Sequence, residues 1–316
     1  MYTVRPFEPQ DAADFYEDFT RLFPVFSISE DNFFRKTLLD LNFDPTGVFY
    51  LLRDGKKAGM TYAQVRRISY EVGEDVSRTA GTLSFFRIAE DEDLNAGGAA
   101  MLLDAAEDFL RGKGKEAVIA CGGTCFFHPG FEVNRDRRYI SFFQTRGYTG
   151  GEHLERRIDL TDYRMPEKLR EKRQKLAEEG IYTGALTREL YLSFLTPRPS
   201  AAYGWINQYR KRLLFAPTDF SRVQVAARGF EVIGATMFGD PDSDMERFGP
   251  FGVNESERGR GIGSVLLALC LQEMHDRGLK SAWMQSSPAQ GAARTVYERA
   301  GFRETARFMC LSKNLD

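Results

Sequence analysis

The sequence predicts an α/β chain of α+β character in which one structural unit occurs twice. Two observations carry this. Strand-like and helix-like runs alternate in the same order through both halves of the 316 residues. The halves also align in register. Setting residue n against n+164 places Gly97 on Gly261, Ala99 on Gly263, Leu102-Leu103 on Leu266-Leu267 and Gly114 on Gly278. The strand-like "EAVIACG" then falls on "KSAWMQS" without a gap. Further on, "FFQTRGY" matches "VYERAGF" with Gly147 on Gly301, an offset of 154. The first copy therefore carries ten extra residues, within the Gly/Pro-containing stretch "GTCFFHPGFEVNRD", which reads as a loop. The length suits two domains, and the expected division is 1–160 and 161–316, with the boundary near Leu160 to Pro166.

The elements follow from local pattern. "YTVRPF" reads as a strand and "EPQDAADFYEDFTRLF" as a helix by its apolar spacing. "GVFYLLRDGKKAGMTYAQVRRI" places two β-rich runs around Asp54-Gly55, a hairpin signal. "GTLSFFRIAE" is a strand, and "AGGAAMLLDAAEDFLRGKG" a helix with glycines at its start and a glycine stop. "EAVIACG", the short helix "RRYISFFQTRG" and the strand "EHLERRIDL" complete the first copy. In the second copy, "EKLREKRQKLAEEG" is a polar connecting helix and "IYTGAL" a strand, with helical segments between Glu189 and Leu214. "RVQVAARGFEVIGATMFG" is a hairpin turning at Gly229, and "ERFGPFGV" is a strand. The amphipathic helix "LLALCLQEMHDRG", the strand "SAWMQSS", a helix ending at Gly301 and the strand "ARFMCLSK" follow.

Composition narrows the function. Net charge is −2, which argues against a broad surface for nucleic acid or anionic membrane. No apolar run approaches the ~18 residues that a membrane span needs, and the N-terminus lacks the charge and apolar pattern of a secretory signal. Four cysteines in so long a chain read as reduced, and the compartment as cytoplasmic. With three histidines and a Cys-x-x-x-Cys spacing at Cys121 and Cys125, no metal site is expected.

The stretch with chemical content is "ERGRGIGSVLL", Glu257 to Leu267. Strand, glycine loop and helix together make an anion site. The first N–H groups of a helix lack intrahelical acceptors, the macrodipole is positive there, and glycine lets a phosphate approach the backbone. No lysine precedes Ser264, which excludes the nucleotide P-loop. The glycines at 259, 261 and 263 miss the dinucleotide spacing, and the residue 20 positions after Ser264 is Met284 rather than an acid. "RGRGIG" does fit [Q/R]-x-x-G-x-[G/A]. With the apolar strand "FGPFGV" before it and "YERAGF" (Tyr297 to Phe302) after it, the second half resembles the GNAT family, the GCN5-related N-acetyltransferases.

The resemblance implies two tandem GNAT-like domains, each a mixed, mostly antiparallel sheet flanked by helices, and direct acetyl transfer from acetyl-CoA to an amine. It implies that the backbone from Gly259 through Arg260, Gly261, Ile262 and Gly263 to Ser264 holds the pyrophosphate, with Arg258 and Arg260 as nearby charges. Backbone at Phe251, Gly252 and Val253 would hold the pantetheine arm and polarise the acetyl carbonyl. Gln290 stands where the family often has asparagine and is the candidate side-chain contact to the arm. Tyr297 would be the general acid, since a phenol is protonated at neutral pH. Glu246, at the start of the strand, would be the base through water. The alternating Asp240, Asp242 and Asp244 beside it read as a solvated hairpin tip. In the first copy, Leu94 stands opposite Arg258 and Phe143 opposite Tyr297, so that copy is expected to be non-catalytic. The expected partner is a small-molecule or peptide amine, with no nucleic acid and no membrane. The alternative is a non-catalytic acyl-CoA-binding or sensory protein. A duplicated acyltransferase using aminoacyl-tRNA is disfavoured by the near-neutral charge and the intact CoA-type loop.

Overall fold

The computed structural model describes residues 1–24, 27–66, 79–120, 130–196, 209, 219–240, 244–286 and 291–315. They fall into two compact units. Of the described residues, the first contains those up to His153 together with those from Ala306 onward, and the second contains those from Leu154 to Thr305.

In the first unit, β1 (Tyr2–Pro6), β2 (Val48–Arg53), β3 (Lys56–Gln64) and β4 (Ala80–Ile88) form an antiparallel run. The β2–β3 turn is the expected one, with Asp54 at φ 50° and Gly55 at φ 79°. Helices α1 (Phe15–Leu22) and α2 (Glu30–Lys36) bury Phe15, Phe19 and Phe33 against Tyr50, Tyr62 and Phe85. Helix α3 (Gly98–Gly112) lays Leu102, Leu103, Ala106 and Leu110 on the other core and leaves Met101 exposed. Next come β5 (Ala117–Ile119), parallel to β4, then β6 (Phe131–Glu132), α4 (Arg137–Thr145) and the start of β7 (Thr149–Asp159).

The second unit opens on the latter part of β7. It continues through α5 (Glu167–Glu178), β8 (Ile181–Ala185), α6 (Tyr191–Leu195), β9 (Val223–Arg228), β10 (Glu231–Asp240) and β11 (Asp244–Val253). Strands β8 to β11 are antiparallel neighbours. Helix α7 (Ile262–Asp276), β12 (Ser281–Ser286), α8 (Gly291–Ala300) and β13 (Arg303–Asn314) follow. Strand β12 is parallel to β11.

Each unit is closed by a strand from the other copy of the sequence. β5 pairs with the end of β13, Ser312↔Ile119. Its counterpart β12 pairs with β7 from Ser281↔Asp159 to Ser286↔Leu154. Leu311 and Leu315 are accordingly buried in the core of the first unit, and Ile158 and Leu160 in that of the second. The two sequence copies meet near residue 160, but a linear division there does not describe the compact units.

Three local expectations are corrected. Helix α7 is not amphipathic. It buries Ile262, Val265, Leu266, Leu267, Ala268, Cys270, Leu271 and Met274, because α5 covers it with Leu176 while the sheet lies on its other side. The stretch between β5 and α4 is not wholly loop, since β6 pairs with β13. Cys310 is disulfide-bonded, so the four cysteines are not all reduced; Cys270 is free and buried. That bond removes the reduced-thiol argument for the cytoplasm. Among the described residues, no helix is long and apolar enough to cross a membrane.

Candidate active site

In the second unit, β11 and β12 meet in a single register pair among the described residues, Arg247↔Trp283. Beyond it, β11 stays on its other neighbour, with Thr236↔Phe251, Ala235↔Gly252 and Gly234↔Val253. Between Thr236↔Phe251 and Phe238↔Phe248, one residue of β10 faces two of β11. The result is a bulge at Gly249, which takes φ 104°, and it turns β11 away from β12. The peptide groups of Phe251 to Val253 not used by β10 therefore border an opening between two parallel strands.

That opening leads to the glycine loop. Gly259 and Gly261 take φ of 80° and 82°, and Gly261 is the N-cap of α7. A side chain on Gly261 would meet Lys172 Cε at 3.0 Å, and one on Gly263 the Phe251 ring at 3.2 Å. The N–H groups of Ile262, Gly263 and Ser264 lack intrahelical acceptors by position. Ile262 is itself buried, so it offers backbone alone. Small residues here keep the first turn of the helix bare and positive, which is the geometry a pyrophosphate needs.

The loop arginines are already partnered. Arg258 lies 3.1 Å from Glu255, and Arg260 lies 2.6 Å from Glu257 and also pairs with Glu179. The Glu179 carboxyl is held below its ordinary value by Arg260. Beside the loop is a cleft of about 550 Å³, lined by Gly259, Arg260, Gly261 and Ser264 on one side. Lys168, Lys172 and Lys175 of α5 and Arg299 of α8 also line it. The sequence reading missed these four cations, because α5 reads only as a polar connector. The i, i+4, i+7 spacing of its lysines is the signal that was available.

Tyr297 is 5% exposed on α8, with its ring about 6 Å from Phe248, Phe251 and Phe302. Burial pushes its phenol above the ordinary value, and the charge of Arg156 pulls the other way. Arg156 is a second residue that sequence reasoning missed, because it belongs to the first copy. It lies on β7 opposite Met284, is 4% exposed, stands 3.5 Å from Glu298, and its Nε has no partner among the described residues.

Glu246 does not join this group. Its carboxylate accepts from the backbone N–H of Lys280 at 3.0 Å and of Ser281 at 2.9 Å, from the Ser281 hydroxyl, and from Arg157 at 3.4 Å. It clamps the start of β12 at the closed end of the strand pair, and those four donors occupy the lone pairs a base would use. Gln290 and Asp242 lie outside the described residues, as do the side chains of Asp240 and Asp244. On the part of β12 beyond its pairing with β11, Gln285 Nε2 is buried without a partner among the described residues.

The order of parallel strands that part at a bulge, a glycine N-cap and a helix-borne tyrosine decides the comparison. Residues 186–302 match the model of the acetyltransferase (GNAT) family. That match lies within the second half of the chain. Among solved structures, a GCN5-related glucosamine N-acetyltransferase region of a fungal multi-domain GH3 β-N-acetylglucosaminidase is similar. Its TM-score is 0.79 at 17% identity, over 99% of this chain and 38% of that one, so this chain spans well under half of that protein. A GCN5-related N-acetyltransferase from Sphaerobacter thermophilus gives 0.67 at 15% identity over 99% and 96%. A tandem GNAT protein from the clavulanic acid biosynthesis pathway gives 0.65 at 12% over 100% and 99%. At these identities the likeness is one of fold, and it extends the GNAT architecture over both units. No curated protein sequence matches the chain.

The first GNAT-like unit repeats the parting of strands and then fills it. Among the described residues, β4 pairs with β5 as far as Thr82↔Ile119 and runs on to Ile88 paired with β3 only. The Tyr139 hydroxyl donates to the Ile88 carbonyl and accepts from the Ile88 N–H, both at 3.2 Å. Ile88 is the register counterpart of Gly252. Tyr139 is 1% exposed and carries Arg87 over its ring at 4.3 Å, and Arg87 is tied to Asp136 at 2.6 Å. A protein side chain thus holds part of the β4 edge that faces away from β3.

Proposed function

We propose that the second unit transfers an acetyl group from acetyl-CoA to an amine by direct attack. The observation that carries this reading is the parting of β11 from β12 next to the Gly259–Ser264 loop, with Tyr297 against β11. The thioester supplies the activated acetyl group. The loop N–H groups bind the pyrophosphate, and the free peptide edge at Phe251 to Val253 takes the arm and polarises the carbonyl. The amine nitrogen bonds to the carbonyl carbon as the carbon–sulfur bond breaks. The leaving thiolate takes its proton from the Tyr297 hydroxyl, the acylated nitrogen loses its extra proton to solvent, and the Tyr297 phenolate takes one back from solvent. Burial raises the phenol, so it stays protonated through the neutral range. Arg156 opposes that shift and keeps the proton transferable.

The test is release of free CoA thiol from acetyl-CoA across a panel of small-molecule and peptide amines. Tyr297→Phe is expected to lower kcat by about 10²- to 10⁴-fold with little change in KM for acetyl-CoA. Undiminished turnover in that variant removes the acid assignment. Tight CoA binding with no turnover on any amine supports the acyl-CoA-binding alternative instead.

A further inference from the structure

The cleft beside the glycine loop holds more positive charge than a pyrophosphate uses, and that charge is spread along an axis. Lys168, Lys172, Lys175, Arg260 and Arg299 line it against one carboxylate, Glu171. Among the described residues, Arg260 is ion-paired, whereas Lys168, Lys172, Lys175 and Arg299 make no ion pair or hydrogen bond.

Their order along the cleft follows from how α5 lies on α7. Before α5 begins, the Met165 N–H donates to Gln272 Oε1 at 2.9 Å, near the end of α7. Just past the end of α5, Glu179 pairs with Arg260, at the start of α7. The helices are antiparallel. Lys172 reaches the loop itself, as its contact with Gly261 shows. Lys168 lies seven residues before Lys175, roughly 10 Å further from the loop along the axis. Leu169, Leu267, Ala268, Val296 and Ala300 form an apolar floor beneath these heads, with Tyr163 at its side. An apolar floor with cations at two separated points suits a nucleoside that carries phosphate at both ends.

We propose that α5 and α8 form a site for the third phosphate of the donor, the one on the adenosine ribose, with Lys168 and Arg299 as its ligands and Lys172 serving the pyrophosphate. The proposal rests on the acyl-CoA reading above. It makes α5, which lies outside the matched residues 186–302, the element that selects CoA over dephospho-CoA. Lys168 and Arg299 are exposed, so replacing them leaves the fold intact.

Calorimetry of the full chain with CoA and with dephospho-CoA tests this without turnover. The unaltered protein is expected to bind CoA about 10- to 100-fold more tightly than dephospho-CoA, the range for hydrogen bonds to charged groups. Lys168→Gln with Arg299→Gln should bring the two affinities together by weakening CoA alone. Lys172→Gln should weaken both compounds by a similar factor. Equal affinities in the unaltered protein overturn the proposal and leave the acyl-CoA reading standing, as does a preference that survives the double substitution. Failure of both compounds to bind overturns the acyl-CoA reading and this proposal with it.

Discussion

The two units share a frame and differ in what occupies the gap between their parted strands. In the second, β11 leaves β12 and the polar groups of Phe251 and Val253 that face away from β10 stay open. In the first, β4 leaves β5 and Tyr139 bonds both polar groups of Ile88, the residue in register with Gly252. The helices that follow differ in the same sense. α3 leaves its outer face in water, whereas α7 is covered by α5, whose lysines then stand over the loop. A duplicated fold thus keeps its strand geometry in both copies. What differs is which groups fill the gap and which helix walls it.

The comparison breaks most sharply at the tyrosines. Tyr297→Phe should cost about 10²- to 10⁴-fold in kcat. Phe143→Tyr, which restores a phenol at the matching position of the first unit, should add no turnover, because Tyr139 still holds Ile88. A rise in thiol release from a chain carrying Tyr297→Phe and Phe143→Tyr together would undo the contrast.

The paired glycines come next. Gly97 and Gly261 both cap a helix with positive φ, at 88° and 82°. Alanine at either position should cost about 1–2 kcal/mol in stability from the left-handed conformation. Gly261→Ala also meets Lys172, while Gly97→Ala meets nothing within 4 Å. Only Gly261→Ala should then weaken CoA binding, by about tenfold, readable by calorimetry.

The exchanged strand is tested by Leu311→Ala. Leu311 belongs to the second copy in sequence but is buried in the first unit. The substitution should cost about 2–5 kcal/mol, and hydrogen exchange should show the loss in β4, β5 and α3 rather than in β8 to β11.

Glu246→Gln sharpens the boundary of the active site. As a clamp on β12, Glu246 can be replaced at about 1–3 kcal/mol of stability, since the amide still accepts one set of donors. Turnover should stay within a few-fold of the unaltered enzyme, with an unchanged acid limb in its pH profile. A 100-fold loss would restore it as the base.

The smallest effect concerns pH. Burial raises the Asp136 carboxyl, but Arg135 and Arg87 outweigh burial and hold it below the ordinary value of 3.8. Its contribution to stability is therefore complete above that value and lost as pH falls below it. Asp136→Asn should flatten the acid side of the first unit's stability curve, as followed by thermal unfolding between neutral pH and pH 3.

The sequence by itself determined the duplication, the hairpins, the Gly259–Ser264 loop and the position of Tyr297. These are written in local spacing: glycines where φ must be positive, alternation where a strand is half buried, and a register kept over whole elements. Only the tertiary structure decided which strand closes which sheet, since β5 finds β13 and β12 finds β7 across long separations that no local pattern records. It also decided that Glu246 is held by Ser281, that Arg156 of the first copy stands near Tyr297, and that the lysines of a polar connecting helix line the cleft beside the glycine loop. A side chain's charge is fixed in the sequence. Whether that charge is already neutralised, as at Arg258 and Arg260, or left facing a cleft, as at Lys168 and Lys172, depends on what packing brings within a few ångströms of it.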